Sequence, residues 1–106
     1  MLGWEQETME DWRRSPAHEL RLDMEAGVKL RPVTFVLGVE PLRKTGERDR
    51  WKWRVTLESC RTPGSSVTLA VDDCGQPSVQ TAKNHAALWV LNMDGDALDA
   101  IVRGMA

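Results

Sequence analysis

The spacing of apolar residues predicts a helix near the start of the chain. In residues 15–26, Ser15 is placed to cap a helix and Pro16 to occupy its first position. Leu20 and Met24 are four residues apart and would lie on one helical face. We therefore predict a first helix over this segment.

The segment before this helix has no clear period. Residues 1–14 contain Trp4 and Trp12 among mostly charged and polar side chains. We predict an N-terminal extension, either a short helix anchored by the two tryptophans or a loosely ordered tail. The remainder, residues 15–106, is long enough for a single domain with its own core.

Three later segments alternate between apolar and polar residues with a period of two. Residues 33–40, 51–60 and 67–72 each show this pattern, which is typical of a strand with one buried face. The charged stretch 41–50 and the turn sequence RTPGSS separate them. We predict a three-stranded antiparallel sheet with one apolar face and one open polar face.

Helical spacing returns after the third strand. From Val79 to Met93 the apolar positions follow a period near 3.6, with Ser78 or Gln76 placed to cap the helix. Gly95 interrupts the pattern, and a last short helical segment follows. The predicted fold is therefore α+β, in the order helix, three strands, helix (αβββα), with both helices on one sheet face.

Composition places the chain among globular proteins. It has 42% hydrophobic and 28% charged residues, no apolar run long enough to cross a membrane, and no secretory signal at its start. We predict a cytoplasmic protein without a membrane contact. Cys60 and Cys74 are expected to lie far apart on consecutive strands and to remain free thiols.

The net charge of −2 conceals a separation of charge along the chain. Residues 1–27 contain seven acidic and three basic side chains, whereas residues 28–62 contain nine basic and four acidic ones. Such blocks are usually solvated surface. The functional alternative is a local basic patch that attracts phosphate.

The residue types needed for catalysis do not converge in the sequence. His18 and His85 stand far apart, and the two histidines and two cysteines have no zinc-ligand spacing. We therefore predict a protein that is not an enzyme and has no cofactor or metal. In RWKWR, residues 50–54, the alternation favours core packing of the tryptophans over base stacking.

The order of predicted elements resembles the double-stranded RNA-binding domain over residues 16–93. PVTFVL and WKWRVTL correspond to its first two strands, and SVQTAKNHAA is similar to its Ser-Lys-Lys-x-Ala-Lys-x-x-Ala-Ala signature. The matching positions are Ser78, Ala82, Lys83, Ala86 and Ala87. The resemblance implies a module that reads the shape of an RNA duplex across successive minor grooves.

By that resemblance, nucleic acid would be bound by part of residues 16–24 and by five basic side chains. These are Arg43, Lys44, Arg48, Arg50 and Lys83. Lys83 is expected to project into solvent, on the same side of the molecule as the loop between the first two strands.

The chain also departs from the family signature. Val79 and Gln80 stand where the family has its lysine pair, and RKTGERDR replaces the Gly-Pro-x-His loop. Fewer phosphate contacts predict weaker, less salt-dependent RNA binding. The alternative hypothesis is a protein-interaction module. Its partner would be a second copy, an adaptor target, or a host nucleoprotein complex that the chain inhibits.

Overall fold

Four antiparallel strands in sequential order form one sheet. The computed structural model describes residues 3–26, 29–42, 50–60, 64–72 and 74–104, with the backbone alone for residues 3–6 and Ala26. The strands are β1 (Glu19–Ala26), β2 (Arg31–Leu42), β3 (Arg50–Ser59) and β4 (Ser66–Val71). The helices are α1 (Gly3–Arg14), α2 (Val79–Leu91) and α3 (Gly95–Gly104).

The prediction of a helix over residues 15–26 is wrong, because most of this segment is β1. Leu20, Leu22 and Met24 alternate with charged residues and fit a period of two as well as a helical stripe. In the sheet, Leu22 pairs with Phe35 of β2, and both side chains are buried. Pairing with a long apolar strand therefore decides the conformation of the segment.

The first helix lies upstream of the predicted position. Ser15 does not begin a helix but ends α1: both its backbone N–H and its hydroxyl donate to the carbonyl of Trp12. Residues 3–14 form α1, which is the helical one of the two alternatives expected for the N-terminal extension, and Met9 and Trp12 are buried in the core. The α+β class is confirmed, whereas the three-stranded αβββα order is wrong.

The other predicted elements agree with the structure. The three alternating segments form β2, β3 and β4, and α2 begins after Ser78, whose side chain accepts a hydrogen bond from the Thr81 N–H. Asp94 directly precedes α3 and caps it: its carbonyl accepts from the Leu98 N–H and its carboxylate from the Asp96 N–H. Trp51 and Trp53 are half-buried and pack against the core, as the alternation predicted.

The helices cover the sheet unevenly. α2 packs across β2 and β3, where Ala82, Ala86 and Ala87 permit a close approach to the strands. α1 and α3 both reach β1, and α1 also packs against α2. Among the described elements no helix packs extensively on β4. One end of the apolar sheet face is therefore left without a covering helix.

The opposite sheet face is polar and carries charge pairs between strands. Arg21 on β1 contacts Glu58 on β3, and Glu40 on β2 pairs with Lys52 and Arg54 of β3. Most of these side chains are substantially exposed, so each pair contributes little to stability.

Two further sequence expectations concern the cysteines and the membrane. Cys60 and Cys74 are both free, as predicted, and both are exposed. Within the described part of the chain, no helix has the length and apolar character needed to cross a bilayer.

Candidate interaction surface

The two edges of the sheet differ in charge. Along β1, Glu19, Arg21, Asp23 and Glu25 are all exposed. Charged side chains on an edge strand discourage the addition of another strand, because pairing would desolvate them. β1 is therefore a protected edge.

The β4 edge lacks this protection. Its sequence, SVTLAV, contains no charged residue. Val67 and Val71 are 40% and 41% exposed. Because β4 pairs only with β3 in the described sheet, a row of its backbone N–H and C=O groups faces outward. This edge offers both hydrogen-bonding groups and apolar side chains to another chain.

A shallow groove lies between α2 and β3. It has a volume of about 250 Å³, and Leu88, which is 52% exposed, forms part of its wall. The lining residues are Trp53, His85, Leu88, Trp89 and Asn92. His85, Leu88 and Trp89 of α2 and its C-cap residue Asn92 follow the spacing i, i+3, i+4, i+7 and therefore share one side of the helix. The groove is aromatic and apolar, with polar groups at its margin.

A β-bulge interrupts the pairing of β4 with β3. The register shifts between Val55 and Thr56, so one extra residue of β4 lies between Thr68 and Ala70. A bulge increases local twist and limits how far a further strand can pair. The geometry favours a short partner segment over indefinite stacking of strands.

Lys83 is not part of this surface and is not exposed as expected. Its side chain is buried, with the whole residue only 2% exposed. The ammonium Nζ donates to the carbonyl oxygens of Trp12 at 3.0 Å and Ser15 at 2.9 Å. It also lies 5.1 Å from the centroid of the Trp12 ring. The prediction that Lys83 projects into solvent is therefore wrong.

Lys83 holds the C-terminal end of α1 against α2. The last carbonyls of a helix have no partner within the helix and carry partial negative charge, which a cation stabilises. Burial lowers the pKa of the Lys83 ammonium. One sequence signal was available: Lys83 lies beside Ala82 within the stripe of small buried residues on α2. Only the position of α1 shows what the ammonium contacts.

The structure describes one of the other four predicted nucleic-acid contacts. Arg50 is exposed at the start of β3. Arg43, Lys44 and Arg48 fall outside the described residues, so the predicted basic cluster beside the sheet stays a prediction.

Comparison of the chain with protein-family models, curated proteins and solved structures found no match. The resemblance to the double-stranded RNA-binding domain therefore stays a hypothesis drawn from the residues themselves.

Proposed function

We propose that this chain is a protein-interaction module that binds an extended segment of a partner protein along β4. The observation that carries the proposal is the contrast between the two sheet edges. β1 is lined with exposed charges and is reached by two helices, whereas β4 is uncharged, has exposed valines and lacks extensive helix cover. An open uncharged edge is the feature that strand-adding binding modules use.

The groove beside α2 supplies side-chain selectivity to this mode of binding. Backbone hydrogen bonds to β4 are independent of the partner's sequence. The binding of an apolar side chain among Trp53, Leu88 and Trp89, in contrast, depends on the shape of that side chain. Burial of one large apolar side chain contributes roughly 1.5–3 kcal/mol. The bulge restricts the paired length, so we expect a short motif and a reversible complex.

A displayed library of random peptides tests this proposal with the full chain as bait. We expect the selected peptides to share alternating uncharged residues and a bulky apolar residue. Their binding should be abolished in the double variant Val71→Lys/Leu88→Lys. Glu25→Lys, an exposed change on the opposite edge, is the matched control and should bind as the unmodified chain does.

Three results would contradict the proposal. They are the absence of any saturable peptide, equal binding by the double variant, and loss of binding in Glu25→Lys alone. Light scattering of the free chain identifies the case in which the occupant of β4 is a second copy.

A second candidate function is the binding of RNA duplexes. It is supported by the exposed position of Arg50 and by the excess of basic residues in 28–62. Titration of an RNA duplex at low and moderate salt tests it, with Arg50→Gln as the variant and Arg103→Gln, on α3, as the control. No binding at low salt excludes this function. A Lys83 variant is unsuitable here, because Lys83 contacts the end of α1.

A further inference from the structure

A glycine in the middle of the sheet opens a polar hollow on the face opposite the helices. The hollow has a volume of about 330 Å³ and is lined by residues of β1, β2 and β3 and of the segment before β1. These are His18, Glu19, Val36, Gly38, Val39, Glu40, Arg54 and Thr56. It therefore lies on the other side of the sheet from the groove described above.

The register of the strands explains the position of the hollow. Gly38 pairs with Glu19 on one side and with Arg54 on the other, so the three residues form one row across the sheet. The middle member of this row has no side chain. A Cβ built at Gly38 meets no atom within 4 Å. Glycine weakens a strand interior and often marks a site where another molecule approaches the backbone.

The two side chains at the ends of the row have opposite charges. Glu19 pairs with Arg21 at 3.3 Å, and Arg54 lies 3.8 Å from Glu40. All four side chains are about half exposed, so these pairs are weak and can be exchanged for a ligand. Glu40 also pairs with Lys52 at 3.2 Å, which balances its charge. With Glu40 paired to Lys52, the hollow presents the acid Glu19 and the base Arg54 across an empty centre.

We infer that the Gly38 hollow binds a small zwitterion of the amino-acid class, with its ammonium at Glu19 and its carboxylate at Arg54. Glu19 and Arg54 each lie one strand spacing from Gly38, so their Cα atoms are roughly 10 Å apart across the hollow. Both side chains are long enough to reach toward the charged groups of a short ligand that lies over Gly38. Thr56, two residues from Arg54 on β3 and on the same sheet face, adds a polar side chain to the lining.

A series of zwitterions of increasing length tests the inference. Nuclear magnetic resonance titrations of the full chain would use glycine, β-alanine, 4-aminobutyrate and 6-aminohexanoate. We expect saturable shifts confined to the residues of the hollow, with an affinity that depends on the separation of the two charges of the ligand. Propylamine and propionate carry one charge each and should bind at least about tenfold more weakly.

Two variants locate the binding site. Gly38→Val places a branched side chain in the hollow, where a Cβ meets no neighbour, and should abolish the shifts, whereas Thr68→Val on β4 should leave them unchanged. Arg54→Gln should weaken binding by about tenfold. The inference is overturned by the absence of saturable shifts with all four compounds, by equal binding of propionate, or by unchanged binding in Gly38→Val. None of these outcomes bears on β4, which is tested with peptides.

Discussion

At the scale of single residues, Lys83 shows how a buried cation can join two helices. Its ammonium donates to two carbonyls at the end of α1, and its aliphatic stem is buried where α2 packs against α1. The carbonyl of Trp12 also accepts from Ser15, so the helix end is fixed by both a local and a distant donor.

We expect replacement of Lys83 to lower the free energy of unfolding. Lys83→Met should lower it by about 1–3 kcal/mol, because the Ser15 carbonyl loses its charged donor. Lys83→Glu should lower it by about 3–5 kcal/mol, because a carboxylate would face two carbonyls in a buried site. Urea unfolding measures both, with exposed Gln80→Glu as a control expected to stay within about 0.5 kcal/mol. An equally small effect of Lys83→Glu would contradict the buried contact.

The lowered pKa of Lys83 predicts a pH dependence on the alkaline side. Burial lowers the pKa in the folded state below the ordinary value of 10.5, so between these two values the unfolded chain binds more protons. The stability of the unmodified chain relative to Lys83→Met should therefore increase as pH rises through this window. Parallel urea titrations at neutral and alkaline pH test the sign. If the difference in free energy of unfolding between the unmodified chain and Lys83→Met decreases as pH rises, the folded state favours the charged form of Lys83.

At the scale of elements, the sheet has a protected centre and unequal edges. β2 is paired on both sides, and its Phe35 and Leu37 are fully buried under the helices. β4 has one strand partner, a bulge and little helix cover. Local stability follows such differences in contact and burial.

We expect β4 amides to exchange with solvent earlier than those of β2. Opening of β4 breaks one ladder and exposes few buried side chains, whereas opening of β2 breaks two ladders and the core. Hydrogen exchange followed residue by residue measures this order. A bound peptide should slow exchange in β4 specifically. Equal protection of β2 and β4 in the free chain would indicate that another part of the molecule covers the edge.

At the scale of the whole molecule, the charged side chains lie mainly at the surface and contribute little to the stability of the fold. The net charge is only −2, and the cross-strand pairs of the polar face lie largely at the surface. The core is apolar and is shared by the sheet and all three helices, since Met9, Trp12 and Val102 belong to the same cluster as the strand residues.

We therefore expect the free energy of unfolding to depend weakly on sodium chloride. Screening of exposed pairs between roughly 0.05 and 0.5 M salt should change it by less than about 1 kcal/mol. Thermal or urea unfolding at several salt concentrations measures the dependence. A larger loss would show that the charge pairs of the polar sheet face stabilise the fold more than their exposure implies.

The sequence alone determined the α+β class, the strands around Phe35 and Trp53, and the start of α2 at Ser78, because each follows from a local pattern with one interpretation. Tertiary structure decided the rest. Leu20, Leu22 and Met24 fit both a helix and a strand, and only pairing with β2 selects the strand. Lys83 is buried because α1 packs over it. Gly38 lies at the centre of a hollow because strand pairing places Glu19 and Arg54 on either side of a residue without a side chain. Such contacts join residues distant in the chain, so no local period encodes them.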